Sequence, residues 1–116
     1  MTDQLIYKIL TRGQWRQAEA EGVFRGAPVD LADGYIHFST AGQVQGTADK
    51  HFAGMDDLVL AAVDARALGE KLDYEVSRGD ALFPHLYDVL ELSAVKWVKP
   101  MPLGEDGRHE LPDMNA

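Results

Sequence analysis

The chain opens with Leu5-Ile6-Tyr7-Lys8-Ile9-Leu10, a β-prone apolar run that predicts a strand. Thr11 follows with Gln14 three residues on, the spacing of a capping box, so a helix is expected over about 12–21. That helix would place Trp15, Ala18 and Gly22 on one face, and Gly22 suits a left-handed stop. Residues 23–28 read as a connection and Leu31-Ala32-Asp33-Gly34 as a turn. From Tyr35 to Ser39 the chain alternates Tyr, His and Ser on one face with Ile and Phe on the other, as a strand does. Thr40 and Gln43 repeat the capping spacing, so a second helix should start there and end near Phe52-Ala53-Gly54.

Further on, Leu58-Val59-Leu60-Ala61-Ala62-Val63 is a continuous apolar run, the mark of a central strand covered on both faces. Residues 64–69 predict a turn or a single helical turn. Leu72-Asp73-Tyr74-Glu75-Val76 predicts a strand with two carboxylates on one face. Ser77-Arg78-Gly79-Asp80 reads as a loop. Val89–Leu92 and Ala94–Val98 form two short strands or one, with Glu91, Lys96 and Lys99 outward, and Pro100 and Pro102 ending the ladder. The polar segment from Gly104 to Ala116 is expected to be a loose tail, with Arg108-His109-Glu110-Leu111 available as an edge strand. Two early helices followed by short strands predict an α+β fold, one domain over 1–116 with its core at about 5–111.

Composition narrows the function classes. At 116 residues and 46% apolar content the chain has enough material for one buried core. Without cysteine it has no disulfide, thiolate metal site or cysteine nucleophile. The first residues carry no basic and apolar leader pattern, and no apolar run approaches the ~20 residues of a membrane span, so a cytoplasmic location away from membranes is expected. A net charge of −8 argues against duplex nucleic acid as a partner. Residues 1–30 balance Lys8, Arg12, Arg16 and Arg25 against Asp3, Glu19, Glu21 and Asp30, so an anionic ligand would more readily meet this segment than the acidic remainder.

Chemistry concentrates in two segments, Gly34-Tyr35-Ile36-His37-Phe38-Ser39-Thr40 and Leu82-Phe83-Pro84-His85-Leu86-Tyr87. None of His37, His51, His85 and His109 has the helical i, i+4 spacing of a zinc protease, and no metal is expected. Ser39 sits at a strand-to-helix junction but lacks the flanking glycines of a nucleophile elbow. No glycine run has phosphate-loop spacing. Taken singly, His37 and His85 read equally well as structural hydrogen-bonders and Glu75 as a solvated charge.

Together these segments carry a resemblance. The Ile-Tyr-Lys-Ile strand, the Trp15 helix, Asp33-Gly34-Tyr35-Ile36-His37-Phe38-Ser39-Thr40 and Phe83-Pro84-His85-Leu86-Tyr87 closely resemble a small, mostly bacterial family, domain of unknown function 952. More distantly, the layout is similar to the ADP-ribosyltransferase superfamily, whose first motif is a strand histidine followed two residues on by Ser or Thr. That resemblance implies NAD or a related nucleotide as ligand, with ADP-ribosyl transfer or NAD hydrolysis as the reaction and any protein acceptor left open. It implies that His37, Ser39 and Thr40 anchor the ligand and that Tyr35, Tyr74 or Tyr87 stacks on the nicotinamide. It also implies that Glu75 stabilises the oxocarbenium-like transition state. His85 has no counterpart in that scheme and is a second catalytic candidate on its own motif. Phe38 stands where the superfamily motif carries a small residue, and no Glu-x-Glu or Gln-x-Glu pair is present. The fold so implied has two helices on short, strongly bent, mostly antiparallel sheets. The rival expectation is a non-catalytic ligand-sensing or protein-interaction module with structural histidines.

Overall fold

A computed structural model describes residues 4–77 and 81–114. The expected loop at Ser77-Arg78-Gly79-Asp80 lies, apart from Ser77, outside the described residues. Strand β1 (Leu5–Thr11) runs into helix α1 (Arg12–Glu21). Thr11 Oγ1 accepts from the Gln14 N–H at 3.1 Å and Gln14 Oε1 accepts from the Thr11 N–H at 3.0 Å, the reciprocal box that the spacing predicts. Gly22 ends the helix at φ 82°, donating its N–H to the Ala18 carbonyl.

The chain continues through β2 (Val23–Phe24), α2 (Pro28–Asp33), β3 (Ile36–His37) and a 3-10 turn at Ala41–Gln43 that leads into α3 (Val44–His51). Then come β4 (Leu58–Asp64), the single turn α4 (Ala65–Leu68), β5 (Leu72–Val76), β6 (Leu82–Leu86), β7 (Leu90–Glu91) and β8 (Val95–Pro100). Every strand pairing among the described residues is antiparallel, in sheets ordered β1-β4-β8, β2-β7 and β3-β6-β5. The expected α+β class with antiparallel sheets holds.

The period of two along β1 and β4 divides the core. Ile6, Leu10, Val59, Ala61 and Val63 face one side, with α1, Phe24, Ile36, Phe38 and Leu86. Tyr7, Ile9, Leu58, Leu60 and Ala62 face the other, under Val44 and Ala48 of α3 and Met101. The central position of β4 explains its unbroken apolar run.

Three expectations need correction, and one strand had not been foreseen. The segment 28–33, read as a connection and turn, is a helix. Pro28 sits at its first turn and Gly34 stops it at φ 87°, while Val29 and Leu31 point to solvent, so no apolar stripe announced it. The 82–86 segment is a central strand despite Pro84. In an antiparallel ladder a residue's nitrogen and carbonyl aim at the same neighbour, and the Pro84 carbonyl accepts from Phe38 N–H, just where β3 leaves the sheet. The strand foreseen from Tyr35 to Ser39 pairs with β6 only at Ile36–His37, and Ser39 bridges instead to Tyr7 of β1. The tail is docked as far as it is described. His109 is buried, Leu111 and Met114 pack on the second core cluster, and His109 Nε2 donates to the Met55 carbonyl at 2.6 Å. Its foreseen edge strand reduces to a Leu103–His109 bridge.

Candidate functional site

The Tyr35–Ser39 segment joins two sheets. His37 pairs with His85 of β6, and two residues later Ser39 exchanges both backbone hydrogen bonds with Tyr7 of β1 at 2.8 Å. Where the sheets diverge lies a cavity of about 560 Å³. His37, Ser39 and His85 border it, with apolar wall from Phe38, Phe83 and Met55. Lys8, Asp33 and His51 also reach it.

Pleating places the ionisable groups. Asp73, His85 and His37 stand opposite one another across β5, β6 and β3, so they share a face, as do Glu75 and Phe83 one pair along. The opposite face carries Leu72, Leu86 and Ile36 into the core. The two carboxylates expected on one face of β5 therefore lie on the histidine face.

His37 is held by acidic residues of α2. Its Nδ1 lies 2.6 Å from Asp30 Oδ1 and its Nε2 lies 2.9 Å from Asp33 Oδ2. The backbone N–H of His37 also donates to Asp30 Oδ1, and that of Ala27 to Asp30 Oδ2. Lys8 closes the network, its Nζ 3.0 Å from Asp30 Oδ2. Lys8 shares the strand face of Ile6 and Leu10, so its ammonium enters the core, where only a counter-ion makes it tolerable. Burial alone would raise the Asp30 carboxyl. Hydrogen bonding to His37, the Lys8 charge and the two backbone donors outweigh it and hold the group down at about 2. Burial pushes the Lys8 ammonium below its ordinary value, against the opposing pull of Asp30.

His85 is differently placed. Its ring is 2% exposed, and Nδ1 lies 2.9 Å from Glu75 Oε1, which also accepts from the Tyr87 hydroxyl at 2.5 Å. Those hydrogen bonds, from Tyr87 first and His85 second, keep the Glu75 carboxyl below its ordinary range. Tyr87 in turn is pushed up to about 12, chiefly by its bond to Glu75. Tyr35 stacks on the His85 ring at 4.1 Å between centroids. His85 Nε2 is enclosed and has no hydrogen-bond partner among the described residues. A buried polar atom left without a partner is uncommon and asks for a reason.

The structure thus gathers most of the expected residues but sorts them. His37, Ser39 and His85 border the cavity. Glu75, Tyr35 and Tyr87 surround His85 without lining it, so Glu75 meets a histidine rather than an open ligand site. Ser39 Oγ lies 2.9 Å from Thr47 Oγ1. Thr40 is a helix-cap residue, its N–H donating to Gln43 Oε1. Lys8, Asp30 and Asp33 were not foreseen. The available signal was Lys8 itself, a charge interrupting the apolar face of a strand. Among the described residues no group of three side chains is arranged to hold a metal ion. No helix among them is long and apolar enough to cross a membrane.

The profile of the family described as "Protein of unknown function (DUF952)" matches residues 9–98. The chain belongs to the DUF952 family. The crystal structure of protein CC0527 from Caulobacter crescentus is 52% identical, with a TM-score of 0.89 over 92% of this chain and 94% of that one. The solution structure of CC0527 is 51% identical with a TM-score of 0.85, covering 94% of each chain. A crystal structure of a CC0527 double mutant is 50% identical, with a TM-score of 0.88 over 92% of this chain and 94% of that one. No curated protein matches the chain. This DUF952 chain therefore shares its fold with CC0527 over 92% of its length.

Proposed function

We propose that the cleft between the two sheets binds NAD or a related nucleotide, and that the bound dinucleotide is cleaved at its nicotinamide glycosidic bond. The observation that carries this reading is the convergence of His37, Ser39 and His85, from two distant segments, on one cavity. Its volume, about 560 Å³, falls in the range of small-molecule and cofactor sites. Phe38 and Phe83 line the cavity with apolar surface, alongside the polar groups of His37, Ser39 and Lys8. The resemblance to the ADP-ribosyltransferase superfamily would give the histidine–hydroxyl pair of His37 and Ser39 the role of anchoring a ribose.

A second reading has its own support. Both nitrogens of His37 already face carboxylates, which suits a structural pin in a non-catalytic ligand-sensing or protein-interaction module. Calorimetry separates the two. Under the first reading NAD binds the wild-type chain and His37→Ala weakens binding at least tenfold while circular dichroism stays unchanged. Equal affinity of the folded variant and the wild type would remove His37 from the site.

A further inference from the structure

His85 carries an inference that rests on the nucleotide reading and goes beyond it. A carboxylate only accepts hydrogen bonds, so Glu75 requires the hydrogen of the neutral ring to sit on Nδ1. Nε2 is then left with a bare lone pair, enclosed, without a partner, on a ring that borders the cavity. The Tyr87 hydroxyl donates to the same Glu75 oxygen and helps hold it in place, so the tautomer is fixed by two hydrogen bonds that meet on one carboxylate oxygen. A base oriented through its second nitrogen by a carboxylate is the arrangement that activates a hydroxyl.

We propose that His85 is the general base of the cleft, acting through Nε2 on the hydroxyl that attacks the nicotinamide-bearing ribosyl carbon, with water as that hydroxyl. The oxygen of water bonds to the ribosyl carbon as the carbon–nitrogen bond breaks. That bond's electron pair passes to the nicotinamide nitrogen and cancels its positive charge. The proton leaves water for Nε2 and then passes to solvent, so NAD and water give ADP-ribose, nicotinamide and one proton. Glu75 is a positioning residue, and Tyr87 positions Glu75. Nε2 is enclosed at rest, so engagement needs a side-chain shift. Tyr35, half-buried and stacked on the ring, is the neighbour placed to make it.

The test has a part that needs no ligand. Long-range proton–nitrogen spectra of the wild-type chain should place the His85 hydrogen on Nδ1, and Glu75→Ala should let it shift toward Nε2, the form favoured in water. A wild-type ring with its hydrogen on Nε2 overturns the proposal. With NAD, nicotinamide release should fall about 100-fold or more in His85→Ala, with NAD-induced amide shifts retained and part of the rate restored by added imidazole. Glu75→Ala, at a partly exposed site that threatens the fold less, should lower kcat with little change in KM. Saturable NAD shifts without nicotinamide release, or with release unaffected by both substitutions, overturn the general base and leave the nucleotide reading standing. Absence of any NAD shift overturns the nucleotide reading and this step with it, whatever the tautomer.

Discussion

Asp30 and His37 lie on different elements, yet their side chains meet at 2.6 Å, and the same carboxylate oxygen accepts the His37 backbone N–H at 3.1 Å. Asp30 reaches further, to the Lys8 ammonium inside the core and to the backbone that opens α2. One carboxylate thus ties β1, α2 and β3 together beside the cleft.

Removing Asp30 strands Lys8 as a buried charge with no counter-ion. Asp30→Ala is expected to cost about 3–5 kcal/mol in chemical denaturation. Lys8→Met leaves the carboxylate with His37 and two backbone donors and should cost about 1–2 kcal/mol. Equal losses from the two would contradict this asymmetry.

The pH dependence follows from the same group. Asp30 is held at about 2 in the fold against an ordinary 3.8. A lowered carboxyl stabilises the fold above its unfolded value and loses that contribution as pH falls through its folded value. About 2 kcal/mol should therefore disappear between roughly pH 4 and pH 2. Asp30→Asn should flatten that part of a stability–pH curve.

Tyr87 offers a spectroscopic check on the group that orients His85. Its phenol is raised to about 12 from an ordinary 10.0, chiefly by the Glu75 bond. The raised value favours the fold at lower pH, and that contribution fades as pH rises through about 12. In Glu75→Ala the Tyr87 ring-carbon titration should move back toward 10. An unmoved titration would mean that the Glu75 contact is absent in solution.

The docked tail makes a separate prediction. His109→Ala leaves the Met55 carbonyl without its buried donor and should cost about 1–3 kcal/mol. A substitution in a loose tail would cost almost nothing.

The sequence made legible those elements whose signals are local. The Thr11–Gln14 spacing, the Gly22 stop and the apolar run of β4 each depend on neighbours within a few residues, and each is where the pattern placed it. Helix α2 escaped because Val29 and Leu31 face solvent, and β6 because Pro84 reads as a breaker until its partner strand is known to end beside it. In the site, His37, Ser39 and His85 were recoverable from their motifs. Asp30 and Lys8 were not, because their meaning is a pairing between elements that sequence spacing does not encode. Glu75 was picked out as a group facing the ligand, whereas strand register puts its carboxylate on His85.

The most direct test of the central claim is an amide chemical-shift titration of labelled protein with NAD, ADP-ribose and nicotinamide. NAD and ADP-ribose should give saturable shifts centred on His37–Thr40 and extending to His85, with smaller shifts from nicotinamide alone. No saturable shifts at millimolar ligand would contradict that claim and leave the histidines as structural pins.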